Sequence, residues 1–264
     1  MTKTPNMHIA LIGSGNVATK VGQALKNAGH HIDAIVSRHQ ENAQQLASLL
    51  DAQWHSSALE LKGQFDVIIV SVNDNAIEEI ATQLMPTDAI VVHTAGSIPM
   101  SVLSRFDRHG VIYPLQTLSK QKEIDMRGVP FLIEGNSPDT TTIIQHLTQT
   151  ISDNVTSGTS EQRQQLHLAA VFACNFTNHL YTIAEKLLQS SGLSFQLLMP
   201  LIEETTHKIQ HLSPIDSQTG PAIRHDTHVM QQHMEALSND TQLQSIYTLL
   251  SQSIMDCHQQ NAKK

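Results

Sequence analysis

The sequence predicts an α/β domain on a mainly parallel, doubly wound sheet, followed by an all-α domain. Over the first part of the chain, short apolar runs alternate with stretches of helical spacing, which is the pattern of strand–helix–strand units. From Ser160 onward no strand pattern recurs and only long helical stretches follow. A glycine-rich turn joins the first strand to the first helix. The boundary is drawn near Gly158, giving domains at 1–158 and 159–264.

Taken in order, Met7–Gly13 is an apolar run ending in glycine, the signature of a buried parallel strand. Asn16–Ala28 carries Val17, Val21, Ala24, Leu25 and Ala28 at helical spacing and stops at Gly29. His31–Ser37 is a second strand and Glu41–Leu50 a second helix. Phe65–Val72 is the clearest strand, and Asp74–Leu84 is a helix capped by Asn73 or Asp74. Ala89–Thr94 is a strand, and Pro99 opens a short helix to Phe106 as its first residue. Gly110–Tyr113 and Pro130–Ile133 are short strands, and Ser137-Pro138-Asp139 caps a helix to about Ile151. Four helices follow at Ser160–Gln189, Phe195–Gln210, His225–Leu237 and Thr241–Gln259, separated by Gly192, Ser213-Pro214 and Gly220-Pro221.

Composition excludes several classes. Sixteen basic against 24 acidic residues leave a net charge of −8, which argues against a nucleic-acid binder. Aromatics at 4% leave little for stacking on bases. No apolar run reaches the roughly 18 residues of a membrane span. Met1–Asn6 is polar and lacks a signal-peptide core, and Cys174 and Cys257 form no closely spaced pair. The expected setting is reducing and cytoplasmic.

Gly13-Ser14-Gly15-Asn16-Val17-Ala18 is G-x-G-x-x-A between a strand and a helix, the context in which this motif binds dinucleotides. Gly13 permits the tight turn, Gly15 lets the backbone approach a pyrophosphate, and Ala18 lets the helix pack closely on the sheet. The helix N-terminus offers free N–H groups and partial positive charge. The second strand ends in Ser37-Arg38-His39, with no carboxylate at its tip to bind a ribose 2′-hydroxyl. Ser37 and Arg38 can donate to a 2′-phosphate, which selects NADP over NAD. Two further strand ends, Ser71-Val72-Asn73-Asp74 and His93-Thr94-Ala95-Gly96-Ser97, should face the same crevice, where their small residues leave room for the nicotinamide ribose and ring.

In the helical part, Leu166, Ala170, Ala173, Thr177, Ala184 and Leu187 fall along one side of the 160–189 helix, while Phe172, Phe176 and Leu180 cover much of the rest. Such a helix is expected to be central and buried. His167, Asn175 and Asn178 then need partners, which are either protein groups or substrate. Ser217–Asp226 is a second polar segment, in which Thr219 and Arg224 are candidate substrate contacts and Asp226 a helix cap. His225, His228 and His233 lack a metal-site signature, so no metal is expected.

The glycine turn, Tyr113-Pro114-Leu115-Gln116-Thr117-Leu118, His167–Ala173 with Asn175, Phe176 and Asn178, and Thr219-Gly220-Pro221-Ala222 with Arg224 and Asp226 together resemble a family of Rossmann-like bacterial proteins. Its members have a helical C-terminal domain of unassigned function and are described as NADP oxidoreductases. The plan is similar to that of pyrroline-5-carboxylate reductase, ketopantoate reductase, 3-hydroxyacid dehydrogenases and deazaflavin-dependent NADP oxidoreductases. The resemblance implies a Rossmann domain and a helical domain of the 6-phosphogluconate-dehydrogenase C-terminal kind that mediates dimers. β-Hydroxyacid dehydrogenases carry a catalytic lysine early on the first long helix of the second domain. Here the only lysine on that helix is Lys186, far along it, and His167 stands near its start. His167 is thus the candidate acid or base and Asn175 the candidate orienting group. Asn178 would hold substrate, and Arg224 or His93 its anionic end. The expected function is hydride transfer between NADP(H) and a small carbonyl, imine or hydroxy acid. The alternative is a non-catalytic NADP(H) sensor.

Overall fold

The structure is a computed structural model describing residues 6–261. It divides into two compact units between Asn178 and His179. The first unit runs β1 (His8–Ile12), α1 (Asn16–Asn27), β2 (His31–Val36), α2 (Gln40–Leu50), β3 (Gln53–His55), β4 (Val67–Val70), α3 (Ile77–Gln83), β5 (Ile90–His93), β6 (His109–Pro114), β7 (Phe131–Gly135), α4 (Pro138–Gln149), β8 (Val155–Ser157) and α5 (Ser160–Ala170). Among the described residues the strands form one sheet in the order β3-β2-β1-β4-β5-β6-β7-β8. Neighbours are parallel except β6 and β7.

Alternation along the central strands builds two apolar layers. Ile9, Leu11, Ile69 and Val92 face one core with Val21 and Leu25 of α1. Ala10, Ile12, Ile68, Val70 and Val91 face the other. Because both faces are covered, these strands read as continuous apolar runs. Strand order reverses between β1 and β4, which opens a crevice at their carboxyl ends.

Several local expectations change. β3 and β8 are three-residue strands without an apolar run of their own, paired onto β2 and β7. The stretch after Asn73 begins as a 3₁₀ turn at Asp74–Ala76, and no side chain caps it. The Asp74 carboxylate accepts from the Ser97 hydroxyl instead. Pro99 precedes a 3₁₀ turn at Met100–Leu103 rather than starting an α-helix. The caps predicted at Ser137 and Asp226 form, accepting from the Thr140 and Val229 N–H groups.

The segment 160–189 is not one α-helix. A π-helical stretch at Val171–Phe176 separates α5 from α6 (Thr177–Gln189). The expectation of a central, buried helix also fails. Leu168, Phe172 and Phe176 are exposed, Phe172 by 63%. An all-round apolar wheel shows that faces need cover, but it does not say that this chain supplies the cover. The second unit continues with α7 (Met199–Lys208), α8 (Thr227–Ala236) and α9 (Thr241–Asn261). No helix among the described residues is long and apolar enough to cross a membrane.

Gly13 has φ +123°, and a Cβ there would run into the Ser71 carbonyl. Gly13→Ala combines left-handed strain with a backbone clash at the junction of β1 and β4. It should cost about 3 kcal/mol or more. Urea unfolding without added nucleotide checks this, and an unchanged midpoint would refute the packing argument.

Candidate functional site

A cavity of about 940 Å³ lies at the switch point, lined by residues of the first unit alone. One wall is the glycine turn. Gly13 N–H donates to the Val36 carbonyl at 2.8 Å, and Ser71 N–H donates to the Ile12 carbonyl at 2.7 Å, so three strand ends are drawn together. Gly15, the residue before α1, provides no side-chain cap, and the first turn of α1 carries no acidic residue. The first N–H groups of α1 are therefore left for a ligand. A Cβ on Gly15 would meet nothing within 4 Å, so backbone there borders open space. This surface fits a pyrophosphate.

The predicted cofactor residues Gly13, Ser14, Gly15, Asn16, Val17, Ser37, Arg38, Ser71, Val72, Asn73, Thr94 and Ala95 all line this cavity. Ala18 is buried behind it, packed in the layer between α1 and the sheet. Ser14 and Ser37 hydroxyls bond at 2.9 Å, tying the turn to the tip of β2, beyond which Arg38 is exposed. Thr94 donates to the Ser71 hydroxyl at 3.1 Å, tying β5 to β4.

His167 lines the same cavity. Its position is set by a buried ion pair one helical turn earlier. Arg163 is only 1% exposed, and its guanidinium meets Glu134 of β7 at 2.5 Å and the Ile98 carbonyl at 2.5 Å. Glu134 also accepts from the Ser160 N–H at 3.0 Å, a carboxylate on the N-terminus of α5. His167, four residues on, projects from the same face as Arg163. Its Nδ1 lies 3.0 Å from the Tyr113 hydroxyl at the end of β6. Burial pushes the Tyr113 hydroxyl above its ordinary pKa, opposed by Arg163 and reinforced by Asp74. Gly96 makes room for both rings: a Cβ there would sit 2.6 Å from His167 Nδ1 and 2.9 Å from Tyr113 Cζ. Tyr113, Arg163 and Glu134 escaped the sequence reading as site residues, and Gly96 figures in it only as one of the small residues that leave room beyond β5. The one local signal was the i, i+4 spacing of Arg163 and His167.

Other predicted residues lie elsewhere. His93 is 0% exposed, does not line the cavity, and accepts the Ala95 N–H on Nδ1 at 3.2 Å. Its Nε2 has no hydrogen-bond partner among the described residues. Burial, aided by the nearby Arg163 charge and opposed by the Pro99 carbonyl, lowers its pKa to about 3. A neutral ring of this kind organises the loop carrying Thr94, Ala95 and Gly96. Asn175 is exposed on the π-helical stretch, and Asn178, also exposed, follows it. Neither lines the cavity. Thr219 and Arg224 are exposed in the second unit, on the segment before α8. No group of three or more metal-binding side chains occurs among the described residues.

A parallel sheet with its switch point at a glycine turn and an uncapped helix N-terminus defines a Rossmann-like nucleotide-binding protein. Residues 8–96 match the family described as NADP oxidoreductase coenzyme F420-dependent. Residues 129–254 match a domain of unknown function, DUF2520. The chain is 41% identical to the putative NADP oxidoreductase BF3122 from Bacteroides fragilis, over 95% of this chain and 98% of that one, with a TM-score of 0.87. It therefore belongs to this family of Rossmann-like NADP oxidoreductases. Protein TM1727 from Thermotoga maritima shares the fold at 22% identity, over 96% of this chain and 99% of that one, with a TM-score of 0.73. A reductive aminase from Aspergillus terreus, in complex with NADPH4, cyclohexanone and allyl amine, shares it at 14% identity, over 97% and 95% of the two chains, with a TM-score of 0.73. No curated protein matches the chain.

Two predictions follow from the buried charges. Arg163→Met strands the Glu134 carboxylate and should cost about 3–5 kcal/mol, whereas Arg163→Met with Glu134→Gln recovers part of that loss. Urea midpoints of the single and double variants test this, and equal losses would remove the pair from its anchoring role. For His93, the native pKa of about 3 lies below the unfolded value of 6.5. Its contribution is complete above pH 6.5. As pH falls from there toward about 3, the unfolded chain takes up a proton that the native state refuses. Stability should drop by about 1.4 kcal/mol per pH unit from this group. His30, lowered by burial and by His31, acts in the same direction. His93→Gln should flatten the measured slope of stability against pH.

Proposed function

We propose that the chain is an NADP-dependent oxidoreductase that reduces a small carbonyl or imine, or oxidises the matching hydroxy acid or amine. The observation that carries this reading is the single cavity joining the Gly13–Val17 turn, the Arg38 strand tip and His167. A bound NADPH would supply the hydride. The Arg38 guanidinium and Ser37 would hold its 2′-phosphate, and the N-terminus of α1 its pyrophosphate. Thr94, Ala95, Ser71, Val72 and Asn73 would border its nicotinamide half.

The residue handling the proton is His167. The Tyr113 hydroxyl lies 3.0 Å from His167 Nδ1 and holds the ring by a hydrogen bond in which either atom can donate. That leaves Nε2 as the nitrogen free to meet a ligand. As imidazolium, His167 would give its Nε2 proton to the substrate oxygen or nitrogen in reduction, leaving a neutral ring whose Nδ1–H donates to Tyr113, and the neutral ring would take the proton back in oxidation. Asn175 and Asn178 orienting the substrate, and Thr219 and Arg224 contacting it, are parts of this proposal that draw on the family resemblance. So is the division into a Rossmann domain at 1–158 and a helical domain at 159–264. The exposed Leu168, Phe172 and Phe176 of the first unit and Leu180, Leu187 and Leu197 of the second would be covered by another copy in a cytoplasmic homodimer.

Titration with NADPH and NADH, followed by nucleotide fluorescence, tests the cofactor. NADPH should bind more tightly, and Arg38→Asp should reverse or abolish that preference. Failure to bind either nucleotide would refute the oxidoreductase reading. With an active carbonyl or imine in hand, His167→Ala should lower kcat by about 10²–10⁴-fold with NADPH binding retained. Full activity in that variant would remove His167 from the chemistry, and nucleotide binding with no turnover of any substrate would point to a sensor.

A further inference from the structure

We propose that Lys120 is the counter-charge for an anionic group bound in the cavity, either the pyrophosphate of the dinucleotide or a carboxylate of the substrate. The inference rests on the oxidoreductase reading and assigns that site a residue which neither its motif nor its strand ends contain.

Lys120 stands on the connection from β6 to β7. That connection leaves β6 at Pro114, and the Leu115 N–H donates to the Pro130 carbonyl at 2.8 Å. It then turns toward α1. Leu118 and Ile124 pack against the core layer that includes Val21 and Leu25 of α1. Further along, Glu123–Arg127 share the wall of a second cavity with Lys20, Gln23 and Ala24 of the same helix. A path fixed at both ends carries Lys120 to the rim of the nucleotide cavity, which it lines together with Gly13–Val17, Gly96 and His167.

No carboxylate is paired with Lys120 among the described residues. Lys120 is half-buried, and among the described residues it has no hydrogen-bond or ion-pair partner. Elsewhere in this unit Lys26 pairs with Asp51 at 2.6 Å, Arg127 with Asp153 at 3.3 Å and Arg163 with Glu134 at 2.5 Å, whereas Lys20, buried on α1, has no ion-pair partner among the described residues. The acids lining the cavity are Asp74 and Glu79, and neither pairs with Lys120. Asp74 is engaged by the Ser97 hydroxyl. An ammonium held in a concave, partly desolvated wall without a counter-ion favours an incoming anion, since the attraction there is less screened than in water. The other candidate for an anionic end within this unit, His93, is buried, neutral and off the cavity. Lys120 therefore shares the cavity with His167 as a second cation beside Arg38, which stands at the tip of β2.

The test compares wild type, Lys120→Gln, Lys120→Arg and, as a control, Lys122→Gln, which removes an exposed lysine two residues on. Binding of NADPH and of 2′-AMP, which lacks the pyrophosphate, is measured by calorimetry at low and high salt. In a second arm, oxamate is titrated into the protein–NADP⁺ complex as a non-reducible carboxylate. If the anion is the pyrophosphate, Lys120→Gln weakens NADPH about tenfold or more and leaves 2′-AMP unchanged. Lys120→Arg keeps most of the affinity, and the difference from wild type shrinks in high salt. If the anion is a substrate carboxylate, NADPH binding is unchanged and oxamate affinity falls by a similar factor. Loss of 2′-AMP affinity as well, no loss in either arm, or losses matched by Lys122→Gln each overturn the assignment. So does failure of oxamate to bind wild type when NADPH affinity is unaltered. Wild type that binds no NADPH overturns the oxidoreductase reading and this inference with it, whereas wild type that binds NADPH while Lys120→Gln behaves normally overturns the inference alone.

Discussion

The Arg163 guanidinium joins elements that lie far apart in the chain. It reaches Glu134 on β7 and the Ile98 carbonyl beyond β5 while itself belonging to α5. Burying a charge so completely is costly unless it is both paired and hydrogen-bonded, and here the carboxylate, a backbone carbonyl and the Ser160 hydroxyl share the task for the two terminal nitrogens, while Nε has no partner among the described residues. Because each contact is directional, the pair fixes the axial position and rotation of α5 against the sheet. An apolar contact of equal area would allow the helix to slide. His167 follows at one turn, so its place beside Tyr113 and Gly96 is inherited from the ion pair.

The two ends of the cavity are built by different physics. At the β1–α1 turn the ligand surface is backbone: N–H groups left uncapped, a glycine with left-handed φ, and strand ends held by main-chain hydrogen bonds. Such a surface recognises charge and shape and tolerates little change, since any Cβ at Gly13 meets the Ser71 carbonyl. At the β5–β6 end the surface is made of side chains brought together from β6, α5 and the loop after β5. There the neutral His93 ring supports the Thr94–Gly96 loop from beneath, and Gly96 leaves the space that two rings require. A protein of this plan can keep its nucleotide end fixed and change chemistry at the other.

The helical residues raise a separate issue. The exposed Phe172 and Phe176 rings meet edge-on at 5.0 Å within the π-helical stretch that separates α5 from α6. The Thr177 hydroxyl donates to the Phe172 carbonyl five residues earlier, at 3.2 Å. Apolar periodicity identified these residues as ones needing cover, but cover from another molecule leaves the same pattern in a sequence as cover from the same chain.

The sequence by itself determined the first unit's central strands, its first helix and the glycine turn. Their signals are local: Ile9–Ile12 and Val67–Val70 are apolar because both sheet faces are covered, and Gly13 stands where only glycine serves. It also determined the chemistry at the tip of β2, since Ser37 and Arg38 follow their strand directly. Tertiary structure alone decided the three-residue strands β3 and β8, which exist through pairing with β2 and β7 rather than through their own apolarity. It alone decided that His93 is a support and that Tyr113 touches His167 across 54 positions of sequence. It also kept Asn175 and Asn178 off the cavity and brought Lys120 to its rim. Hydrophobic periodicity reports which residues leave water. Which polar groups then meet depends on how the sheet orders its strands and where one buried ion pair holds a helix, and neither is written in local spacing.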